Sequence, residues 1–236
     1  MFRRMLLHEL KNILRDKMYL FFMIYPVILI LISLWLVPYL EEEVSALVSH
    51  IVVLVFVLMT SFIYGAVTGF TLLDDQDDQV LFSLKITPIK VSHYILIKLL
   101  ISYLFGVIAT FLLLMVTNFI EGTIGLYLLF ALFSSLQAPF IALVVNTFAS
   151  NKIEGFVVMK ASGLILLIPI ASIFITNWTE LFLGIVPGFW IGRLVSIRLV
   201  PGDYLMTETL YFMIGFLYNL FLLIMLFRNY KKRIGV

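Results

Sequence analysis

Read for polarity alone, the chain alternates long apolar runs with short charged ones. Six runs lack Asp, Glu, Lys and Arg altogether: Met18–Leu40, Val44–Leu73, Leu99–Ile120, Gly122–Ala149, Ala161–Thr179 and Thr209–Phe227. Each comes to roughly the 20 residues that a helix needs to cross a ~30 Å hydrocarbon core. The pattern predicts an all-α integral membrane protein with six transmembrane helices in one domain, 1–236. A seventh run, Leu181–Gly192, is interrupted by Pro187-Gly188 and is too short to cross. Irregular backbone at membrane depth survives only against protein or a wet cavity. Residues 181–203 therefore read as a re-entrant or interfacial hairpin between spans 5 and 6.

At the start of the chain, Phe2, Leu6, Leu10, Ile13 and Leu14 recur at helical spacing against Arg3, Arg4, Lys11 and Arg15. That spacing predicts an amphipathic interface helix over 1–17. A plain polar start carrying the same cations is the alternative. The apolar run behind it is too long for a signal peptide, and three glutamates follow it in place of a small-residue cleavage site.

The longest stretch between spans is Asp74 to Lys98. Asp74 and Asp75 are read as the start of a short helix, where acids interact well with the helix dipole. Val80, Leu81 and Leu84 then share one face. Thr87-Pro88 reads as an N-cap with proline at the first helical position, opening a second helix that runs into span 3. A bare connector could be about four residues long. An ordered element at 74–87 with a small apolar face suits either a docking surface or a helix resting on lipid.

Composition and charge sharpen this picture. Apolar residues make up 63% of the 236 and charged ones only 13%, against about 25% charged in soluble domains. The chain has no cysteine, so disulfides and thiolate metal sites are excluded. A net charge of +2 gives no reason to expect a nucleic-acid partner. Its distribution is more informative. With the N-terminus in the cytoplasm, the inner segments hold Arg3, Arg4, Lys11, Arg15, Lys17, Lys85, Lys90, Lys98, Lys152, Arg228, Lys231, Lys232 and Arg233, thirteen cations against Arg193 and Arg198 outside. That bias puts both termini in the cytoplasm.

Four segments together resemble a known family: LLHELKNILRDKMYLFF at 6–22, GFTLLDDQDDQVLFSLKITPIKVSHYILIKLL at 69–100, SNKIEGFVVMK at 150–160 and PGFWIGR at 187–193. In order and position they are similar to the membrane subunits of ATP-binding-cassette (ABC) exporters of the type-2 family, among them bacterial drug and antimicrobial-peptide export permeases. The resemblance implies a half-transporter in a bacterial plasma membrane, paired as a homodimer or heterodimer and driven by a cytoplasmic ABC ATPase that holds ATP and Mg. It implies that Asp75 to Leu84 form a coupling helix. Asp75, Asp77, Asp78, Val80, Leu81 and Leu84 would contact the ATPase there, and Asn151, Lys152 and Glu154 would make a second contact. Where the family often mixes Arg and Glu, this chain has Asp74, Asp75, Asp77 and Asp78. Independently of that likeness, the sequence contains no G-x-x-x-x-G-K-[ST], so any nucleotide phosphates must be cradled by another polypeptide.

Polar residues inside the spans are the remaining candidates. Gln137, Asn146 and Asn219 could line a path or bridge helices, and bridging is the commoner use. Lys160 sits about two turns into span 5 and reads as a snorkelling side chain or a substrate contact. On the outer side, Arg193 has Glu180, Asp203 and Glu208 as partner candidates, and Trp190 fits an interfacial anchor. The hairpin that carries both reads as an outer gate or as a helix resting among headgroups. Pro26, Pro139 and Pro169 predict kinks.

Among rival functions, a proton-coupled carrier needs a titratable group in its path, and none of the six runs contains Asp or Glu. An ATP-independent channel or carrier is the standing alternative. No catalytic residues are expected. Ser162-Gly163 has no histidine in a later span to serve it, and His8, His50 and His93 lack metal-ligand spacing.

Overall fold

The structure is a computed structural model describing residues 17–86 and 89–235 together with Glu9, Lys11 and Arg15. The apolar face predicted for the first seventeen residues, and the Thr87-Pro88 helix start, lie outside the described residues. Within them the chain is 81% helix with no strands. Among the described residues, six helices are long and apolar enough to cross a membrane.

Span 1 is α1 (Lys17–Glu43) and span 2 is α2 (Ala46–Asp77). Ser45 caps α2 by accepting from Val48 N–H at 3.3 Å. A five-residue α3 (Val80–Leu84) follows, and then α4 (Val91–Thr117) as span 3. Span 4 is two pieces, α5 (Ile124–Ser134) and α6 (Gln137–Phe148), and so is span 5, α7 (Lys152–Ile165) and α8 (Leu167–Ala171). Both breaks fall three to four residues ahead of a proline, Pro139 and Pro169. There the ring collides with the preceding turn and the backbone lacks a donor.

In the hairpin region stand α9 (Glu180–Leu183) and α10 (Pro187–Leu199), and α11 (Glu208–Arg233) forms span 6. At about 1.5 Å per residue, α10 is about 20 Å long, too short to cross. Its buried run from Pro187 to Ser196 shows that it is enclosed by protein instead of resting on headgroups.

Three expected boundaries move. Span 5 starts at Lys152 instead of Ala161, because Asn151 and Glu154 form a reciprocal cap. Asn151 Oδ1 accepts from Glu154 N–H at 3.0 Å, and Glu154 Oε2 accepts from Ser150 N–H at 2.7 Å. The helix expected to run from Pro88 into span 3 starts at Val91, after the non-helical Ile89 and Lys90, and Lys98 lies inside it as expected. The third change concerns the aspartates. Asp74, Asp75 and Asp77 lie in the last turn of α2, not at the start of a new helix. Span 2 carries on past its apolar run until Gln79 turns left-handed at φ 57° and ends it.

Two layers of packing hold the bundle. Around α2 the closest partner is α6, and α4 and α1 flank it. Leu54, Val57, Leu58, Phe130, Phe133, Phe189 and Tyr211 belong to the largest buried cluster, which joins α2, α5, α10 and α11. The outward faces of α1 and α7 stay apolar and uncovered: Phe21, Leu31 and Trp35 on the first, Ile153, Val157 and Leu164 on the second. In water so much uncovered apolar surface would be a liability; in lipid it is the expected exterior.

Candidate functional site

The ends of α2 and α11 and the starts of α4 and α7 meet at one end of the bundle, here called the basal end. Four carboxylates near a helix C-terminus face the negative end of its dipole, so something must offset them. Lys98 does much of this. Its Nζ lies 2.6 Å from Asp75 Oδ2 and 3.5 Å from Glu9 Oε1, and the lysine is only 7% exposed. Tyr94, one turn earlier on the same face of α4, donates its hydroxyl to the same Asp75 oxygen at 3.1 Å. Asp74 pairs with Lys152 at 2.5 Å in a half-exposed contact that ties the end of α2 to the start of α7. Asp77 and Asp78 are exposed.

A second network lies alongside. Gln76 Nε2 donates to Asn146 Oδ1 at 2.8 Å and to Tyr230 Oη at 3.0 Å. Asn146 Nδ2 donates to the Gly69 and Ala142 carbonyls, each at 2.9 Å. Arg233, at the end of α11, donates to the Asn146 carbonyl at 2.9 Å and to the Thr147 carbonyl at 2.6 Å, which satisfies the open end of α6. Lys85 donates to the Ile234 carbonyl at 3.0 Å and fixes the segment after α3 to the end of the chain.

On α3 the apolar residues divide differently from the sequence expectation. Leu81 is 5% exposed and packs with Leu72, Val91, Ile95, Leu99, Leu226 and Tyr230, with Leu84 partly buried beside it. Leu81 is spent on the chain's own core, while Leu84 at its edge and Val80 are half-buried. The residues that face outward are Phe82, 68% exposed, and Ile86, 86% exposed. A face of Val80, Leu81 and Leu84 was the signal read from the sequence. Which side of it the protein covers depends on where α2 ends.

The other site candidates have defined places. Gln137 Nε2 donates to Asn219 Oδ1 at 2.9 Å, and Asn219 Nδ2 donates to the Gly215 carbonyl at 2.8 Å. Gln137, Asn146 and Asn219 therefore bridge helices, the second of the two readings. Lys160 is exposed with its Nζ 4.9 Å from the centre of the Phe156 ring, one turn nearer the basal end. Asn151 and Glu154 hydrogen-bond one another at the start of α7, and the exposed Lys152 pairs with Asp74.

At the opposite end, Arg193 and Glu180 are both fully buried and paired. Arg193 also donates to the Ile175 carbonyl, and Tyr211 donates to Glu180. The guanidinium lies 5.1 Å from the centre of the Tyr204 ring. Burial pushes the Tyr204 hydroxyl above its ordinary pKa, while Arg193 pulls it partly back. Trp190 is not an interfacial anchor: it is 6% exposed, donates its indole N–H to the Gly184 carbonyl at 2.9 Å and packs on α11. This constellation clamps α9, α10 and α11 together. Arg198 pairs with Glu208 at 2.6 Å nearer the surface.

Glu9, Gln76, Tyr94 and Tyr230 were not singled out in the sequence, and Lys98 and Arg233 were read only as inner cations. The Tyr94-x-x-x-Lys98 spacing put two polar groups on one face of an otherwise apolar helix, and that was the available signal.

Fold and site together define a multi-pass membrane protein in which buried polar groups among the described residues brace helices. The chain belongs to the family described as Rv2686c-like fluoroquinolones export permease proteins, which it matches over residues 9–227; it is a transmembrane export permease, in agreement with the resemblance to type-2 ABC exporters. Among curated relatives, it is 26% identical over 239 residues to the fluoroquinolones export permease protein Rv2686c of Mycobacterium tuberculosis (strain ATCC 25618 / H37Rv), covering 96% of this chain and 92% of the relative. The counterpart MT2760 of strain CDC 1551 / Oshkosh matches to the same extent. No solved structure matches.

Proposed function

We propose that the chain is the membrane half of an ATP-driven exporter. It pairs with a second copy or a similar subunit and docks one cytoplasmic ABC ATPase through α3. The basal end faces the cytoplasm, and ATP and Mg reside on the partner. Family membership supports export, and the lack of a phosphate-binding loop requires that nucleotide be handled elsewhere.

One observation carries the docking reading: α3 has two differently used sides. Leu81 is built into a cluster that includes Leu72 of α2, Val91 and Leu99 of α4 and Leu226 of α11, while Phe82 and Ile86 stand exposed, as do Asp77 and Asp78 just before α3. A partner groove that takes the outer side would move the inner side with it, and with it the ends of spans 2, 3 and 6. Closure of an ATPase pair would draw two such elements together and reshape the path between the subunits. The cargo proposed is an amphipathic drug-like molecule of the kind for which the relatives are named, fluoroquinolones.

The test is co-purification with an ABC ATPase co-expressed from the same genome, together with its stimulation by the permease. Phe82→Asp with Ile86→Asp abolishes both and leaves thermal stability unchanged. Leu81→Asp, which buries a charge, instead unfolds the basal end at a cost of several kcal/mol. If the Phe82/Ile86 pair can be charged without weakening ATPase binding, docking at α3 is wrong. If the purified permease moves cargo without any ATPase, the ATP-independent channel or carrier takes its place.

A further inference from the structure

Spans 3 and 6 both rest on α6 but pack only weakly on one another. Between them lies an open groove of about 540 Å³ whose walls and floor include Leu99, Leu143, Leu223 and Ile224. That volume falls within the ~300–1,000 Å³ usual for small-ligand sites. The only charged groups in the lining stand at the basal mouth, Arg228 and Lys231; elsewhere it is apolar but for the Tyr103 hydroxyl, which donates to the Leu132 carbonyl at 3.1 Å. Three residues apart on α11, they share a face with Cβ atoms about 5–6 Å apart. Neither has a hydrogen-bond or ion-pair partner among the described residues, whereas Arg233, two residues beyond Lys231, is spent on the carbonyls of α6.

We infer that this groove binds an anionic phospholipid from the leaflet at the basal end. An acyl chain lies along the apolar wall, and the phosphate is held between Arg228 and Lys231. The charge distribution selects this occupant. Basic pockets between spans at the membrane border suit anionic headgroups, and a ligand with charge at one end alone matches a groove with charge at one end alone. A second copy of the chain has the uncovered apolar faces of α1 and α7 to pack on. The bound lipid fills the gap between spans 3 and 6 and makes their contact depend on membrane composition.

The test is native mass spectrometry of the full chain equilibrated with phosphatidylglycerol or with phosphatidylcholine of the same acyl chains. Phosphatidylglycerol is retained at least about tenfold better. Arg228→Gln with Lys231→Gln lowers its retention about 30-fold, taking two cations at about 1 kcal/mol each and 1.36 kcal/mol per tenfold. Lys232→Gln, which removes the same charge beside the groove but not from its lining, leaves retention unchanged. Ile224→Trp fills the groove and displaces phosphatidylglycerol while both cations remain. Equal retention of the two lipids overturns the proposal. So does a Lys232→Gln effect as large as that of Lys231→Gln, which would reduce the site to diffuse surface charge. Displacement of phosphatidylglycerol by millimolar inorganic phosphate, with Ile224→Trp having no effect, would show a bare anion site and overturns it equally.

Discussion

Asp75 illustrates what a residue in isolation can and cannot disclose. In sequence it belongs to a run of four aspartates and reads as a contact for a partner; in the fold its carboxylate is held by Lys98 and Tyr94. The difference follows from α2 extending to Asp77, which turns the Asp75 side chain toward α4. Breaking a buried ion pair from one side strands the other charge, at a cost of about 3–5 kcal/mol. Lys98→Met strands two carboxylates, Asp75 and Glu9, and reaches that cost. Asp75→Asn leaves Lys98 with Glu9 at 3.5 Å and costs less. Unfolding of the two variants in mixed micelles gives the order directly, and equal stability of both would show that the cluster is solvated. By contrast, that Arg193 must find a carboxylate was legible in the sequence, but which of Glu180, Asp203 and Glu208 it takes was not; the fold gives it Glu180 and gives Glu208 to Arg198.

Among the elements, the tightest junction is α2 on α6. Gly65 and Gly69 lie one turn apart on α2 and face Ala138 and Ala142 on α6; small residues at four-residue spacing let spans approach closely. A Cβ built on Gly65 would sit 2.4 Å from the Ala138 carbonyl oxygen, and one on Gly163 would meet nothing nearer than 3.9 Å. Gly65→Ala therefore pushes two spans apart and costs about 1–3 kcal/mol as overpacking does, while Gly163→Ala stays within about 0.5 kcal/mol of wild type. Thermal unfolding in detergent separates them, and matching melting curves would mean that the junction is loose. The small-residue spacing was in the sequence; its partner helix was not, because apolar periodicity in a span cannot distinguish a lipid-facing side from a protein-facing one. The same limit explains α3. Its apolar face was evident, but the left-handed Gln79 that aims Leu81 inward and Phe82 outward has no glycine to announce it.

For the whole molecule, hydropathy was decisive: the number of spans follows from charge-free runs because each must satisfy its backbone internally. Helix ends moved where capping chemistry overrode composition, as at Asn151. Orientation belongs to this scale too, since it is set by the summed bias of cations and not by any one of them. Removing Lys98 and Arg193 from that sum, as buried residues, leaves the bias as steep as before. Glu42 stands exposed in the last turn of α1, and Asp78 stands exposed beyond the end of α2, at opposite ends of the bundle. Because the chain has no cysteine, a single Glu42→Cys or Asp78→Cys variant carries the only thiol in the molecule. In intact cells a membrane-impermeant maleimide labels the first at once and the second only after permeabilisation. The reverse pattern would place α3 outside, beyond the reach of any cytoplasmic ATPase, and the proposed coupling would fail with it.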